Sequence, residues 1–181
     1  MGSPSQLTLF TEEIVTSLIC SDSEERIYPG LGVTDTDGER CIQQALSVLE
    51  KRLKKARPVM SNPTALKDYL RLQIGGLDYE MFGIVWTDSQ LNLIGFNKMF
   101  RGTINQTSVY PREVVREAMI CNASACIFVH NHPSGSCQPS TADESLTQQL
   151  RSALALVDVR VLDHVIVSRT GTLSMAEKGL L

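Results

Sequence analysis

The chain has 181 residues, 43% of them hydrophobic and 20% charged, which suits one domain with a buried core and excludes a disordered tail. With 17 Lys and Arg against 20 Asp and Glu the net charge is −3, which excludes a globally basic nucleic-acid binder but not a local basic patch. No apolar run reaches the ~18 residues of a spanning helix, no basic-then-apolar leader opens the chain, and the five cysteines (Cys20, Cys41, Cys121, Cys126, Cys137) form no C-x-x-C pair, so a cytoplasmic globular protein without membrane or disulfide framework is expected.

Leu7, Leu9, Phe10, Ile14, Val15 and Leu18 hint at a short amphipathic helix. Residues 22–38 then read as loop, with Pro29-Gly30, Gly32 and Asp37-Gly38 as turn signals. From Glu39, the apolar residues Ile42, Ala45, Leu46, Leu49 and Leu53 recur at helical spacing and predict a helix that Pro58 stops. Its basic end, Lys51, Arg52, Lys54, Lys55 and Arg57, is either a nucleic-acid patch or a solvated terminus that complements the helix dipole.

Asn62-Pro63, a cap followed by proline at the first helical position, predicts a second helix with Leu66, Tyr69 and Leu70 inward and its end at Gly75-Gly76. Residues 81–86 are a predicted strand, 87–90 a turn, 91–96 a returning strand and 98–104 a further strand. Pro111 opens a third helix with Val114, Val115, Ala118 and Met119 on one face and Asn122 as C-cap. The apolar run 125–129 has the length of a central strand buried on both faces. A fourth helix is predicted over 140–156, and final strands over 159–167 and 172–176. Hairpins and crossovers together predict an α/β (α+β) fold, a mixed sheet flanked by helices. Residues 1–60 are expected to be a partly helical extension and 61–181 the main domain.

The chemistry concentrates in His130-Asn131-His132-Pro133-Ser134-Gly135, followed by Pro139-Ser140 and Asp143. Histidines two apart at a strand end point to one side, so both imidazoles reach one ion. Pro133 and Gly135 turn the chain, and a helix begun at Ser140 brings Asp143 back. Two His and one carboxylate leave a fourth position open, as in catalytic zinc sites. Zinc so bound lowers the pKa of its water to roughly 7 and polarises a carbonyl. Ser140 and Asp143 also read as a capping-box variant, S-x-x-D.

H-x-H, seven residues, then S-x-x-D resembles the JAMM (MPN+) metalloprotease motif, and the string from His130 to Gly135 resembles its RadC branch. Phe100-Arg101-Gly102-Thr103-Ile104-Asn105, Tyr110-Pro111-Arg112-Glu113-Val114-Val115-Arg116-Glu117-Ala118, Val161-Leu162-Asp163-His164 and Ser174-Met175-Ala176-Glu177-Lys178-Gly179 are similar to RadC segments as well. The resemblance implies a cytidine-deaminase-like JAMM sandwich over 61–181. It also implies zinc held by His130, His132 and Asp143, a Ser140 hydroxyl for the developing oxyanion, and an upstream glutamate as general base. Glu80, in Glu80-Met81-Phe82-Gly83-Ile84-Val85, matches the E-x-x-G-[IL] segment; Glu113 and Glu117 compete for that role. The implied activity is a zinc metallopeptidase or isopeptidase acting on a protein or peptide substrate.

Longer RadC proteins carry a helix-hairpin-helix-like region and a DNA-repair label. Residues 1–60 lack that pattern, so the chain resembles the short RadC-like proteins of mobile elements. A DNA- or protein-binding module with a non-catalytic metal is the alternative, and the acidic balance disfavours DNA. His164 is read as either a partner behind a ligating histidine or a packed strand histidine. Cys137 has no ligand spacing, and Arg101, Arg112 and Arg116 are anion-binding or plain surface residues. The literal His-Asn-His is not spread over a ββα unit as in the HNH nucleases, and the absence of H-x-E and P-C-x-x-C disfavours a nucleobase deaminase.

Overall fold

A computed structural model describes residues 36–55, 58–102 and 108–181 of the chain. Cys20, the expected helix over 7–18, Arg57 and the stretch 103–107 lie outside the described residues. The described elements are α1 (Thr36–Lys55), a 3-10 turn (Val59–Ser61), α2 (Pro63–Ile74), β1 (Met81–Thr87), β2 (Leu93–Arg101), α3 (Pro111–Ile120), β3 (Ala125–Asn131), α4 (Thr141–Ala155), β4 (Arg160–Val167) and β5 (Thr172–Ser174).

The strands form one sheet in the order β2-β1-β3-β4-β5. β1 pairs antiparallel with both β2 and β3, β3 pairs parallel with β4 through the α4 crossover, and β5 returns antiparallel on β4. This is the predicted mixed sheet. The central strands β1 and β3 are buried along their whole length, as their unbroken apolar runs require.

Side-chain alternation divides the core into two layers. Met81, Val85, Ile127, Val129, Val165 and Val167 face one way, onto Leu46 and Leu53 of α1 and Leu66, Leu70 and Ile74 of α2. Phe82, Ile84, Trp86, Cys126 and Phe128 face the other way, onto Val114 and Ala118 of α3 and Leu150 and Leu154 of α4. The sheet is thus covered by helices on both faces. Among the described residues, no helix is long and apolar enough to cross a membrane.

Local chemistry explains the boundaries. Asn62 caps α2 by accepting a hydrogen bond from the Ala65 amide at 3.1 Å, with Pro63 next, as predicted. α1 begins at Thr36, three residues before the predicted Glu39. Asp37 and Glu39 lie in its first turn, where negative charge complements the dipole, so Asp37-Gly38 is helix rather than turn. Lys51, Arg52, Lys54 and Lys55 are exposed at the other end, and Lys54 pairs with Glu50 at 2.7 Å.

The two strands expected over 91–96 and 98–104 are one strand, β2. It starts late because the Asp88 carboxylate accepts hydrogen bonds from the Gln90 and Asn92 amides while Leu91 takes a left-handed φ of 62°. It runs on past Asn97 because Met99 is absorbed as a bulge between the Phe82–Phe100 and Gly83–Lys98 pairs. Gly83 is required there: a Cβ would come within 2.7 Å of the Phe96 ring. On α3, Val114 and Ala118 are buried, but Met119 is 63% exposed, because the helix turns it away from the stripe expected to include it. Cys121 rather than Asn122 is the C-cap, and Asn122 follows in the left-handed conformation with φ 49°.

Candidate metal centre

The site lies at the carboxyl end of β3, where the parallel partner β4 also ends and α4 begins. This is where ligands collect on parallel strands. His130 is in the strand and His132 is one residue beyond it, held by its amide on the Val167 carbonyl at 2.9 Å. The two Nε2 atoms stand 2.8 Å apart. Gly135, with φ 90°, turns the following loop in a conformation that side chains rarely adopt. That turn returns the Ser136 carbonyl to within 2.9 Å of His132 Nδ1, which donates to it.

Ser140 and Asp143 form a complete capping box at the start of α4. Ser140 Oγ accepts from the Asp143 amide at 3.1 Å, and Asp143 Oδ2 accepts from the Ser140 amide and the Ser140 hydroxyl, each at 2.7 Å. Oδ1, the other carboxylate oxygen, lies 3.3 Å from His130 Nε2. His132 Nε2 is 3.6 Å from Oδ2. The capping reading and the ligand reading of Asp143 are therefore compatible, because the capping bonds fall on Oδ2 and leave Oδ1 facing His130.

Ligand atoms of His130, His132 and Asp143 all lie within 4.8 Å of one another, so these three residues could hold one metal ion. Their donor chemistry fits. With Nδ1 of His132 committed to a carbonyl, its Nε2 lone pair faces His130 and Asp143. Facing lone pairs at 2.8 Å repel unless a proton or a cation lies between them. A tetrahedral zinc with bonds of about 2.0–2.1 Å sets its nitrogens about 3.3 Å apart, so the imidazoles need open by only about half an ångström.

The same cluster perturbs its own protonation. Burial would raise the Asp143 carboxyl, but the His130 and His132 imidazoles beside it and the hydrogen bond from Ser140 outweigh it and hold the group well below the usual carboxylate range. The hydrogen bond to Asp143 raises His132 despite partial burial, with the Glu80 charge adding to the effect. His164 is fully buried, and burial holds it well below an ordinary imidazole.

Glu80 immediately precedes β1, whose Phe82 pairs with His130. Its neighbours are tied to the motif's central residue. Asn131, 1% exposed, accepts from the Met81 amide at 2.7 Å and donates to the Tyr79 carbonyl at 3.0 Å. The Glu80 carbonyl in turn accepts from the Gly102 amide at 2.8 Å. Glu113 and Glu117 are committed elsewhere, Glu113 to Arg116 at 3.1 Å and Glu117 to Asn97 at 2.6 Å.

Other flagged residues take plain roles. Arg101 stacks over the Tyr79 ring at 3.9 Å, and Arg112 and Arg116 both pair with Glu113. The Cys137 thiol donates a hydrogen bond to Ser168 Oγ at 3.0 Å, and Cys137 is outside the three-residue group. His164 proves to be a partner behind a candidate ligand, its Nε2 2.8 Å from His130 Nδ1. Two residues escaped the sequence reading. Asn131 was hidden between the two histidines, and Thr147 lies four residues after Asp143, a spacing that puts both on one helix face.

A family model described as "RadC-like JAB domain" matches residues 60–180. The helix-covered mixed sheet with its His-His-Asp group is accordingly that of a JAB-type domain of the JAMM/MPN superfamily. Among curated relatives, a UPF0758 protein of Leptothrix cholodnii is 58% identical over 125 residues, covering 69% of this chain and 56% of that protein. A UPF0758 protein of a Polaromonas species is 54% identical over 140 residues, covering 77% and 62%. One from Variovorax paradoxus is 55% identical over 170 residues, covering 92% and 75%. The chain belongs to the RadC family. It spans a little over half the length of the first of these relatives.

Proposed function

We propose that this chain is a zinc-dependent hydrolase of the JAMM type that cleaves a peptide or isopeptide bond. The observation that carries this reading is the convergence of His130, His132 and Asp143, whose free donor atoms meet in one place while their remaining atoms are tied to protein partners. A zinc ion held by these three residues would supply an acidified water and a polarising charge for a carbonyl.

The remaining work falls to the chain's own residues. Glu80 is assigned the proton: it takes it from the attacking water and delivers it to the leaving amine nitrogen. Two facts support this assignment: its charge acts on His132, and Asn131 anchors the residues on either side of it. Ser140 is assigned the oxyanion. Its hydroxyl proton is directed at Asp143 Oδ2, so donation to substrate requires that hydroxyl to rotate, while the Ser140 amide remains on Oδ2.

The test is metal analysis of protein purified without chelators, coupled to a screen of peptide and isopeptide substrates. About one zinc per chain is expected, with hydrolysis in the wild type and none in Glu80→Gln, which keeps its metal. Protein without bound zinc would overturn the mechanism at its first step. Activity surviving in Glu80→Gln would take the base role from Glu80.

A further inference from the structure

Thr147 is buried on α4, and its hydroxyl makes two short contacts, 2.6 Å to the Asp143 carbonyl oxygen and 2.6 Å to His164 Nδ1. The proton count leaves one arrangement in which both are hydrogen bonds. A carbonyl oxygen only accepts, and a hydroxyl has a single proton. Thr147 therefore donates to Asp143 O, and His164 Nδ1–H donates to Thr147. With its ring proton on Nδ1, His164 presents a lone pair at Nε2. That lone pair accepts from His130 Nδ1–H at 2.8 Å. His130 Nε2 is thereby left without a proton, 3.3 Å from Asp143 Oδ1.

We infer that Thr147 and His164 are positioning residues that lock His130 in its Nδ1–H tautomer and tie it to the helix carrying Asp143, so that Thr147 sets the metal affinity of a site whose donor atoms it does not touch. The chain of bonds starts on the backbone of one candidate ligand and ends on the ring of another. It joins α4, β4 and β3. Removing the Thr147 oxygen leaves His164 Nδ1 without its acceptor, and the proton is then better placed on Nε2, directed at His130. His130 must answer by accepting at Nδ1, which puts a proton on the nitrogen that would bind metal. Partners behind metal ligands typically govern affinity by about 10–100-fold.

This inference rests on the metal-site reading, and the test separates the two. The chain has three histidines, so nitrogen-15 spectra of the histidine-labelled chain in chelator resolve each tautomer. His130 and His164 are both expected as Nδ1–H. Zinc affinity by chelator competition should fall about 10–100-fold in Thr147→Val and stay at the wild-type value in Thr147→Ser, which keeps the hydroxyl. Wild-type His130 found as Nε2–H would overturn the proposal, even if Thr147→Val failed to fold. So would a folded Thr147→Val with wild-type zinc affinity. Wild-type protein that showed both Nδ1–H tautomers yet bound no zinc would uphold the clamp and overturn the hydrolase reading.

Discussion

Ser140 is given two jobs, and replacing it by alanine and by glycine separates them. As N-cap of α4 it accepts from the Asp143 amide, and in the proposed reaction its hydroxyl meets the oxyanion. Both substitutions remove the hydroxyl, but glycine is a tolerated N-cap and alanine is not. Ser140→Ala should lose about 1 kcal/mol of stability and Ser140→Gly only a few tenths. The loss stays near the middle of the capping range because the Ser140 amide still holds Asp143 Oδ2 at 2.7 Å. For a domain of this size, 1 kcal/mol shifts the unfolding midpoint by roughly 2–4 °C, which thermal unfolding followed by circular dichroism resolves. Turnover should behave differently, falling about 100- to 1,000-fold in both variants, the usual cost of losing one oxyanion donor. Equal unfolding midpoints for alanine and glycine would refute the capping argument. Wild-type turnover in Ser140→Gly would show that the hydroxyl serves the helix alone.

Two further predictions concern the protons and the strand beside this helix. His132 is raised above its ordinary 6.5, chiefly by Asp143, so in chelator its contribution to stability is complete below 6.5 and is lost as pH rises through the raised value. Asp143, lowered from 3.8, contributes above 3.8 and loses its contribution as pH falls through its lowered value. Zinc must displace the His132 proton, so calorimetric titration at pH 6.5 in two buffers of different ionisation heat should show more than half a proton released per zinc; none released would contradict the His132–Asp143 pairing. Asn131→Ala leaves the Met81 amide and the Tyr79 carbonyl without their side-chain partners and should cost about 1–3 kcal/mol. Because those two groups flank Glu80, turnover should fall more than zinc affinity; an equal fall in both would place Asn131 behind His130 and His132 rather than behind Glu80.

Much of this arrangement was legible in the sequence because its strongest signals are local. The Asn62-Pro63 cap, the apolar run of β3 and the spacing from His132 to Ser140 each dictate structure within one or two turns of chain, and each is realised. The errors fall where a distant neighbour decides. Nothing near Asn97 announces that β2 continues, because the bulge at Met99 is set by its register against Gly83 and Phe82 on another strand. Met119 looks as apolar as Val114, yet the direction of α3 over the sheet leaves it in solvent. Thr147 reads as an ordinary helix residue until β4 brings His164 to it.

The division of labour within Asp143 joins the start of α4 to the candidate site. A carboxylate on a flexible loop would lose side-chain freedom on binding a cation, and that loss would weaken binding. Here the cap removes the freedom during folding: Oδ2 is fixed by the Ser140 amide and hydroxyl, and the Asp143 carbonyl by Thr147, while Oδ1 stays directed at His130. The N-terminal dipole of α4 further favours the ionised form, which both cap and ligand require. His132 is fixed in the same way by the Ser136 carbonyl, and His130 by His164. All three candidate ligands are therefore oriented by bonds that belong to the fold, so S-x-x-D serves as a helix start and supplies one of the three candidate ligands for a single physical reason.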